Sequence, residues 1–206
     1  MNTHALDSSL ADQMQATDAD GMVNALFAYL EQKGTSNYDE QVTQLEHALQ
    51  TAALAKAAGG TAAQVTSALL HDLGHLLVCE HNAEGDFLAE DLKHEMIGAK
   101  YLDPFFPSEV TVPISLHVPS KRYLCTVDPD YYDSLSSASK HSFVVQGGKM
   151  DDKQRAEFEK TPHLDLAVQL RRWDDEGKVM GLDVPGVQTY RDDVLACLKV
   201  DQGAVD

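Results

Sequence analysis

A histidine and an aspartate stand side by side where an apolar run ends. Ala68-Leu69-Leu70 leads directly into His71-Asp72, and Leu73-Gly74-His75 follows. A carboxylate set against a buried segment is costly unless its charge is compensated, so the fold must bring compensating groups to Asp72 from elsewhere in the chain. A divalent or trivalent metal ion compensates it well, and imidazoles and further carboxylates would hold that ion. Residues of that kind recur as His47, His94, His117 and, near the far end, Asp174 or Asp175. Whatever this chain folds into must gather widely separated segments around one point.

Helical periodicity supplies those segments. Met22 to Lys33 reads as a helix stopped by Gly34, and Glu40 to Ala58 as a long helix closed by Gly59-Gly60. That long helix carries Val42, Leu45, Ala48, Leu49 and Ala52 on one face and His47, Thr51, Leu54 and Ala58 on nearly the opposite one. A helix apolar on both faces lies between neighbours, which turns His47 inward. Thr61 with Gln64 is a capping-box signature opening the helix that runs into His71-Asp72, with Gly74 as its expected stop.

After an acidic connection, Ala83 to Glu90, a helix is expected from Asp91 to Leu102, carrying His94. A short one runs from Ser108 to about His117, where Val118-Pro119 should stop it. Arg122 to Asp133, rich in tyrosine and aspartate, reads as a loop or lid. Leu135 to Val145 and Asp151 to Lys160 read as further helices, and His163 to Lys178 as the last core helix. No segment has a convincing strand pattern and no internal repeat is visible. The expected fold class is all-α, a helical bundle, with residues 1–20 an N-terminal extension and 21–200 a single domain.

The formal net charge of -17 over 206 residues argues against a nucleic-acid partner and against an anionic membrane surface, since either needs a basic face. Cys79, Cys125 and Cys197 are odd in number and lack any CxxC spacing, which suits reduced thiols. Without a signal-peptide pattern or a membrane-spanning apolar stretch, the expectation is a cytoplasmic protein.

The ligand types in the series H…HD…H…H…D suit iron, manganese or zinc, and no thiolate joins them. Six such groups exceed the needs of one tetrahedral ion, and a carboxylate can bridge two, so the count favours a dinuclear centre. A lone buried histidine is more often a hydrogen-bonded core residue; the ordered series within one domain is what argues for metal. His4, His81, His141 and His163 fall outside the series and read as surface or loop residues.

This series resembles the HD-domain superfamily over His47 to about Asp175. The simplest members of that superfamily are metal-dependent phosphohydrolases with the pattern H…HD…D; His94 and His117 are additions that match its two-metal subset. The chain is most similar to the mixed-valent diiron oxygenases that cleave the carbon–phosphorus bond of 1-hydroxyphosphonates. His71-Asp72-Leu73-Gly74-His75 matches the family's HDxGH, and His117-Val118-Pro119-Ser120-Lys121 its HxxxK. Leu135 to Ser139 with Gln146-Gly147-Gly148 matches LSxAS…QGG, and Arg171-Arg172-Trp173-Asp174 matches RxWD.

The resemblance implies an HD-type bundle holding two iron ions, Fe(II) and Fe(III), with dioxygen as co-substrate. Asp72 would bridge the ions, with His47, His71 and Asp174 serving one and His94 and His117 the other. The family's arginine falls three residues before its carboxylate, which pairs Arg171 with Asp174; the alternative pairs Arg172 with Asp175. His75, Lys121, Ser139 and Arg171 match the positions that hold the phosphonate, and Asp72, His75 and Lys121 are the catalytic expectations.

Substrate choice would lie around Asn37, Tyr38 and Glu40. Glu40 stands seven residues before His47, where the aminophosphonate enzymes bind the substrate amine; their tyrosine, ten residues before that histidine, is here Asn37, with Tyr38 one residue later. A trimethylammonium prefers aromatic faces, which Tyr38 could offer. The substrate implied is therefore (1-hydroxy-2-(trimethylamino)ethyl)phosphonate, giving glycine betaine and phosphate. The alternatives are 2-amino-1-hydroxyethylphosphonate, giving glycine, a metal-dependent phosphohydrolase, and a degenerate HD fold acting as a regulatory module.

Overall fold

The computed structural model describes residues 7–15, 17–37, 42–78 and 93–199. Among these residues the chain is all-α: twelve helices, one 3-10 turn and no strand. Ser9–Gln15 (α1) and Ala19–Lys33 (α2) are followed by Gln44–Ala57 (α3), Ala62–Leu70 (α4) and Leu73–Leu77 (α5). His94–Leu102 (α6), Ser108–Val127 (α7), Tyr131–Ser134 (α8) and Ser137–Val145 (α9) come next. Asp152–Phe158 (α10), Leu164–Glu176 (α11), the 3-10 turn Val187–Tyr190 and Arg191–Cys197 (α12) complete the order.

Local chemistry sets the helix starts. Asp18 accepts from the Gly21 amide ahead of α2, and full capping boxes form at Thr43–Glu46, Thr61–Gln64 and Asp151–Gln154. Each such cap contributes about 1 kcal/mol. The Thr43 box explains why α3 begins at Gln44 and not at Glu40.

Helix α4 packs against α3, α7, α11 and α12, while α7 packs against α6 and α11. The main core lies among them, built on Phe27, Leu69, Leu70, Leu73, Phe106, Ile114, Leu170 and Val194. A smaller cluster of Leu124, Cys125, Tyr131, Leu135 and Phe143 closes the far end of α7 against α8 and α9. Helix α1 belongs to the main core: Leu10 and Met14 are wholly buried in it.

Four expectations need correction. Helix α7 does not stop at Val118-Pro119 but continues to Val127 with Pro113 and Pro119 inside it. An interior proline costs a helix about 3 kcal/mol; burial of Val110, Ile114, Val118 and Leu124 along the same helix offsets that cost. Residues 122–133 are therefore no loop or lid, since Arg122 to Val127 finish α7 and Tyr131 opens α8. Gly74 does not end a helix. The chain breaks one step earlier, at His71 and Asp72, and Gly74 lies within α5. Finally, α11 is not the last core helix, because Tyr190 and Val194 beyond it are buried in the core.

Gly74 has a different task. A Cβ there would lie 2.0 Å from the His94 carbonyl oxygen and 3.1 Å from the Gly98 nitrogen, so the backbones of α5 and α6 touch directly. That contact sets His94 beside the His71-Asp72 joint.

Candidate metal centre

The joint between α4 and α5 places His71 and Asp72 at the centre of the bundle. Three of the series histidines have their outer ring nitrogen fixed by main-chain oxygen. Nδ1 of His47 on α3 lies 2.8 Å from the Gly177 carbonyl, that of His71 2.9 Å from Ala68, and that of His117 on α7 2.7 Å from Ile114. A carbonyl can only accept, so each Nδ1 carries the proton and donates. In the neutral ring the Nε2 lone pair then faces inward, as a metal ligand requires.

Those inward nitrogens meet in pairs. His47 Nε2 lies 3.1 Å from His71 Nε2, and His94 Nε2 lies 3.2 Å from His117 Nε2. Asp72 sits between the pairs and turns one oxygen to each. Its Oδ2 is 3.3 Å from His71 and 3.5 Å from His47, while Oδ1 is 3.3 Å from His94 and 3.4 Å from His117. Asp174 on α11 adds Oδ1 at 3.3 Å from His47 Nε2.

The donor set fits a pair of cations. Two lone-pair nitrogens and a carboxylate oxygen converging at these distances repel one another, and one cation among them satisfies all three. Asp72 Oδ2 is buried without a hydrogen-bond partner, a loss of hydration that a bound cation makes good. His47, His71 and Asp72 form one ligand-competent group; Asp72, His75 and His94 form another.

Burial and the two carboxylates set the charge states in the cluster. Burial opposes ionisation of Asp72, but the neighbouring imidazoles, His71 first, hold its carboxyl well below the usual range. Burial also works against the charge on His71, and Asp72 and then Asp174 outweigh it, raising its pKa. Burial, with His75 adding to it, pushes His94 down to about 3, which keeps that imidazole neutral and able to ligate.

Cationic and hydroxyl groups flank the histidines. Lys121 lies one turn beyond His117 on α7; it is 2% exposed, and its Nζ donates to Ser142 Oγ at 2.6 Å. Burial first, then the Arg171 charge, lowers the Lys121 ammonium to about 7. Arg171 is buried, donates to Asp174 Oδ2 at 2.7 Å and pairs on its other side with Asp175, which Tyr131 also contacts. Burial opposes the Arg171 charge, but Asp174 and Asp175 raise its pKa well above the ordinary guanidinium value.

Ser139 is buried near the start of α9. It does not cap that helix, because the Ser136 side chain accepts from the Ser139 amide. His75 is partly buried and stacks on His94 with ring centroids 3.7 Å apart.

The structure thus brings His47, His71, Asp72, His94, His117 and Asp174 together, with Lys121, Ser139, Arg171 and His75 around them. Asp174 lies in the cluster at 1% exposure, whereas Asp175 turns away to Arg171 and Tyr131, and Arg172 is exposed. Asn37 is exposed and pairs with Thr43 in a single antiparallel bridge. Tyr38 and Glu40 lie outside the described residues, as do His4, Cys79, His81 and the 83–90 connection. Sequence reasoning missed Lys178, Gln50 and Tyr131. A lysine past a helix end, a glutamine on an amphipathic helix and a tyrosine in a polar stretch carry no pattern that separates them from solvated residues.

No family model matches the chain. It is 52% identical over 195 residues to a hydroxymethylphosphonate dioxygenase of Gimesia maris, a match that spans 94% of this chain and 97% of that protein. The chain belongs to the phosphonate dioxygenase family. It is also 39% identical over 165 residues to the glycine-betaine-forming [1-hydroxy-2-(trimethylamino)ethyl]phosphonate dioxygenase of Leisingera caerulea, covering 80% of this chain and 84% of that protein. An uncharacterized protein of Acanthamoeba polyphaga mimivirus is 33% identical over 171 residues, 82% of this chain and 78% of the viral protein. The resemblance drawn from the His-Asp series therefore stands, and the buried His/Asp cluster offers side chains that could hold a metal ion. No helix among the described residues is long and apolar enough to cross a membrane.

Proposed function

We propose that this chain is a diiron dioxygenase that cleaves the carbon–phosphorus bond of a small 1-hydroxyphosphonate, with hydroxymethylphosphonate as its first substrate. The observation that carries the reading is Asp72, whose two oxygens each face a separate imidazole pair. That arrangement suits two ions bridged by one carboxylate. The choice of substrate is supported by the 52% identity to the Gimesia enzyme over nearly its whole length.

The reaction balances as hydroxymethylphosphonate plus dioxygen giving formate and inorganic phosphate. Both oxygen atoms enter the products, and no external reductant is needed. Two bound irons would supply the redox chemistry and Lewis acidity that engage dioxygen and the substrate hydroxyl. His47, His71 and Asp174 would hold one ion and His94 and His117 the other, with Asp72 between them. Lys121, Arg171, Ser139 and His75 would orient the phosphonate, their charge and donors offsetting a chain whose overall charge repels a dianion.

A second reading, (1-hydroxy-2-(trimethylamino)ethyl)phosphonate giving glycine betaine and phosphate, draws support from the 39% identity to the Leisingera enzyme. In that reading Tyr38 and Glu40 would serve as the binding residues for the trimethylammonium. Oxygen consumption and phosphate release, measured with both substrates on iron-loaded protein, separate the two readings by kcat/KM. Phosphate release that continues without oxygen would overturn the dioxygenase and favour a phosphohydrolase.

A further inference from the structure

We infer that Lys178 is a substrate-binding residue, the third cation of the phosphonate site beside Lys121 and Arg171. This rests on the phosphonate dioxygenase reading above.

The segment after α11 is built to hold this side chain in place. The Gly177 carbonyl takes the His47 Nδ1 proton at 2.8 Å. At the next residue but one, Gln50 forms a two-way clamp: its Nε2 donates to the Val179 carbonyl and its Oε1 accepts from the Val179 amide, both at 2.8 Å. Gly177 itself presses on α3, where an added Cβ would lie 2.6 Å from Thr51 Oγ1. Lys178 sits between these two anchors with its side chain 10% exposed.

Its ammonium lies 3.0 Å from Asp174 Oδ1, 3.5 Å from Ser139 Oγ and 3.9 Å from Asp175 Oδ1. Asp174 does not need it as a partner. Arg171 already neutralises Oδ2 at 2.7 Å, and Oδ1 points to His47 Nε2, the direction of a bound cation. An ion held by Asp174 Oδ1 would repel an ammonium at the same oxygen. The ammonium also reaches Ser139, itself among the residues proposed to hold the phosphonate.

Lys121, Arg171 and Lys178 stand close enough for the Arg171 and Lys178 charges to act on Lys121, with Asp174 and Asp175 already engaged by Arg171. Adding metal ions leaves an excess of positive charge that a dianionic phosphonate fits. A lysine on a clamped segment pre-organises that charge without the ordering cost a free surface lysine incurs.

The test is inorganic phosphate binding, by calorimetry without substrate, to the iron-loaded parent, Lys178→Ala, Lys178→Met and Lys178→Arg, with iron counted in each. The expected result is a phosphate Kd about 10- to 100-fold weaker in the alanine and methionine variants, the loss of one charge-assisted hydrogen bond. Iron content stays at the parent level, and arginine restores part of the affinity. A Kd within about twofold of the parent in both neutral variants overturns the inference, and so does a loss of iron, which would make Lys178 a support of the metal ligands. Oxygen-dependent phosphate release from hydroxymethylphosphonate by the parent serves as the control. If that release is present and the Kd unchanged, only the lysine's role fails; if it is absent, the proposed function fails and the lysine's role with it.

Discussion

Replacing Gly74 with alanine should disable one half of the metal centre while leaving the other in place. The new methyl would lie 2.0 Å from the His94 carbonyl oxygen, where an ordinary contact begins at 3.4 Å, so α5 and α6 must part by about 1.4 Å. The blocking atoms are backbone and cannot rotate aside. Asp72 and His94 ride on opposite sides of that contact, and their Oδ1–Nε2 separation of 3.3 Å would widen accordingly. A displacement of ~1 Å at a reacting centre can cost about 100-fold in rate, and overpacking a tight contact costs about 1–3 kcal/mol of stability. We expect metal content to fall from two ions per chain towards one, with kcat down about 100-fold and the fold retained. Metal analysis, oxygen uptake and urea unfolding on the same preparation read all three. Gly59→Ala is the control: its φ of +73° makes alanine strained, but nothing lies within 4 Å, so stability falls by about 1 kcal/mol and metal content does not change. Full metal content and parent-level activity in Gly74→Ala would refute the reasoning.

Other outcomes test other parts of the structure. Asp72→Ala should lose both ions, because each pair of imidazoles shares that carboxylate; a variant that keeps one ion would show that Asp72 serves a single site. Lys121, lowered to about 7, is charged below that pH and neutral above it, so its hold on a dianionic phosphonate is present at low pH and lost as pH rises through 7. Against Lys121→Arg, whose guanidinium stays charged, the parent's KM should climb faster above pH ~7; parallel profiles would rule out the lysine as the titrating group. Leu10→Ala should cost about 2–5 kcal/mol in denaturant unfolding, as expected of a wholly buried leucine. A loss under about 1 kcal/mol would mean that α1 adds little to the core.

The helices around the metal centre were largely readable from the sequence because their signals are local. Thr61 and Gln64 form the expected capping box, Gly34 follows α2, and His47 is buried as its helix face implied. The failures share a cause, since in each a local breaker met a tertiary constraint. Pro119 would end an isolated helix, yet α7 runs through it because its flanks are buried on both sides of the residue. Gly74 looked like a stop and is instead a point of contact between two backbones. Of Asp174 and Asp175, which the sequence separates only by a three-residue spacing, Asp174 is the carboxylate that faces His47. Lys178 and Gln50 were invisible, because their role exists only once the chain beyond α11 folds back onto α3.

The oxygens that fix His47, His71 and His117 belong to the peptide chain itself, at Gly177, Ala68 and Ile114. No side-chain substitution can delete a carbonyl. The three imidazoles therefore keep their tautomer as long as the helices keep their places, whatever happens to the side chains around them. Such a site divides inheritance in two: the scaffold carries the metal chemistry, and the side chains around it are left free to change what is bound. Relatives named for different phosphonates are what that separation allows.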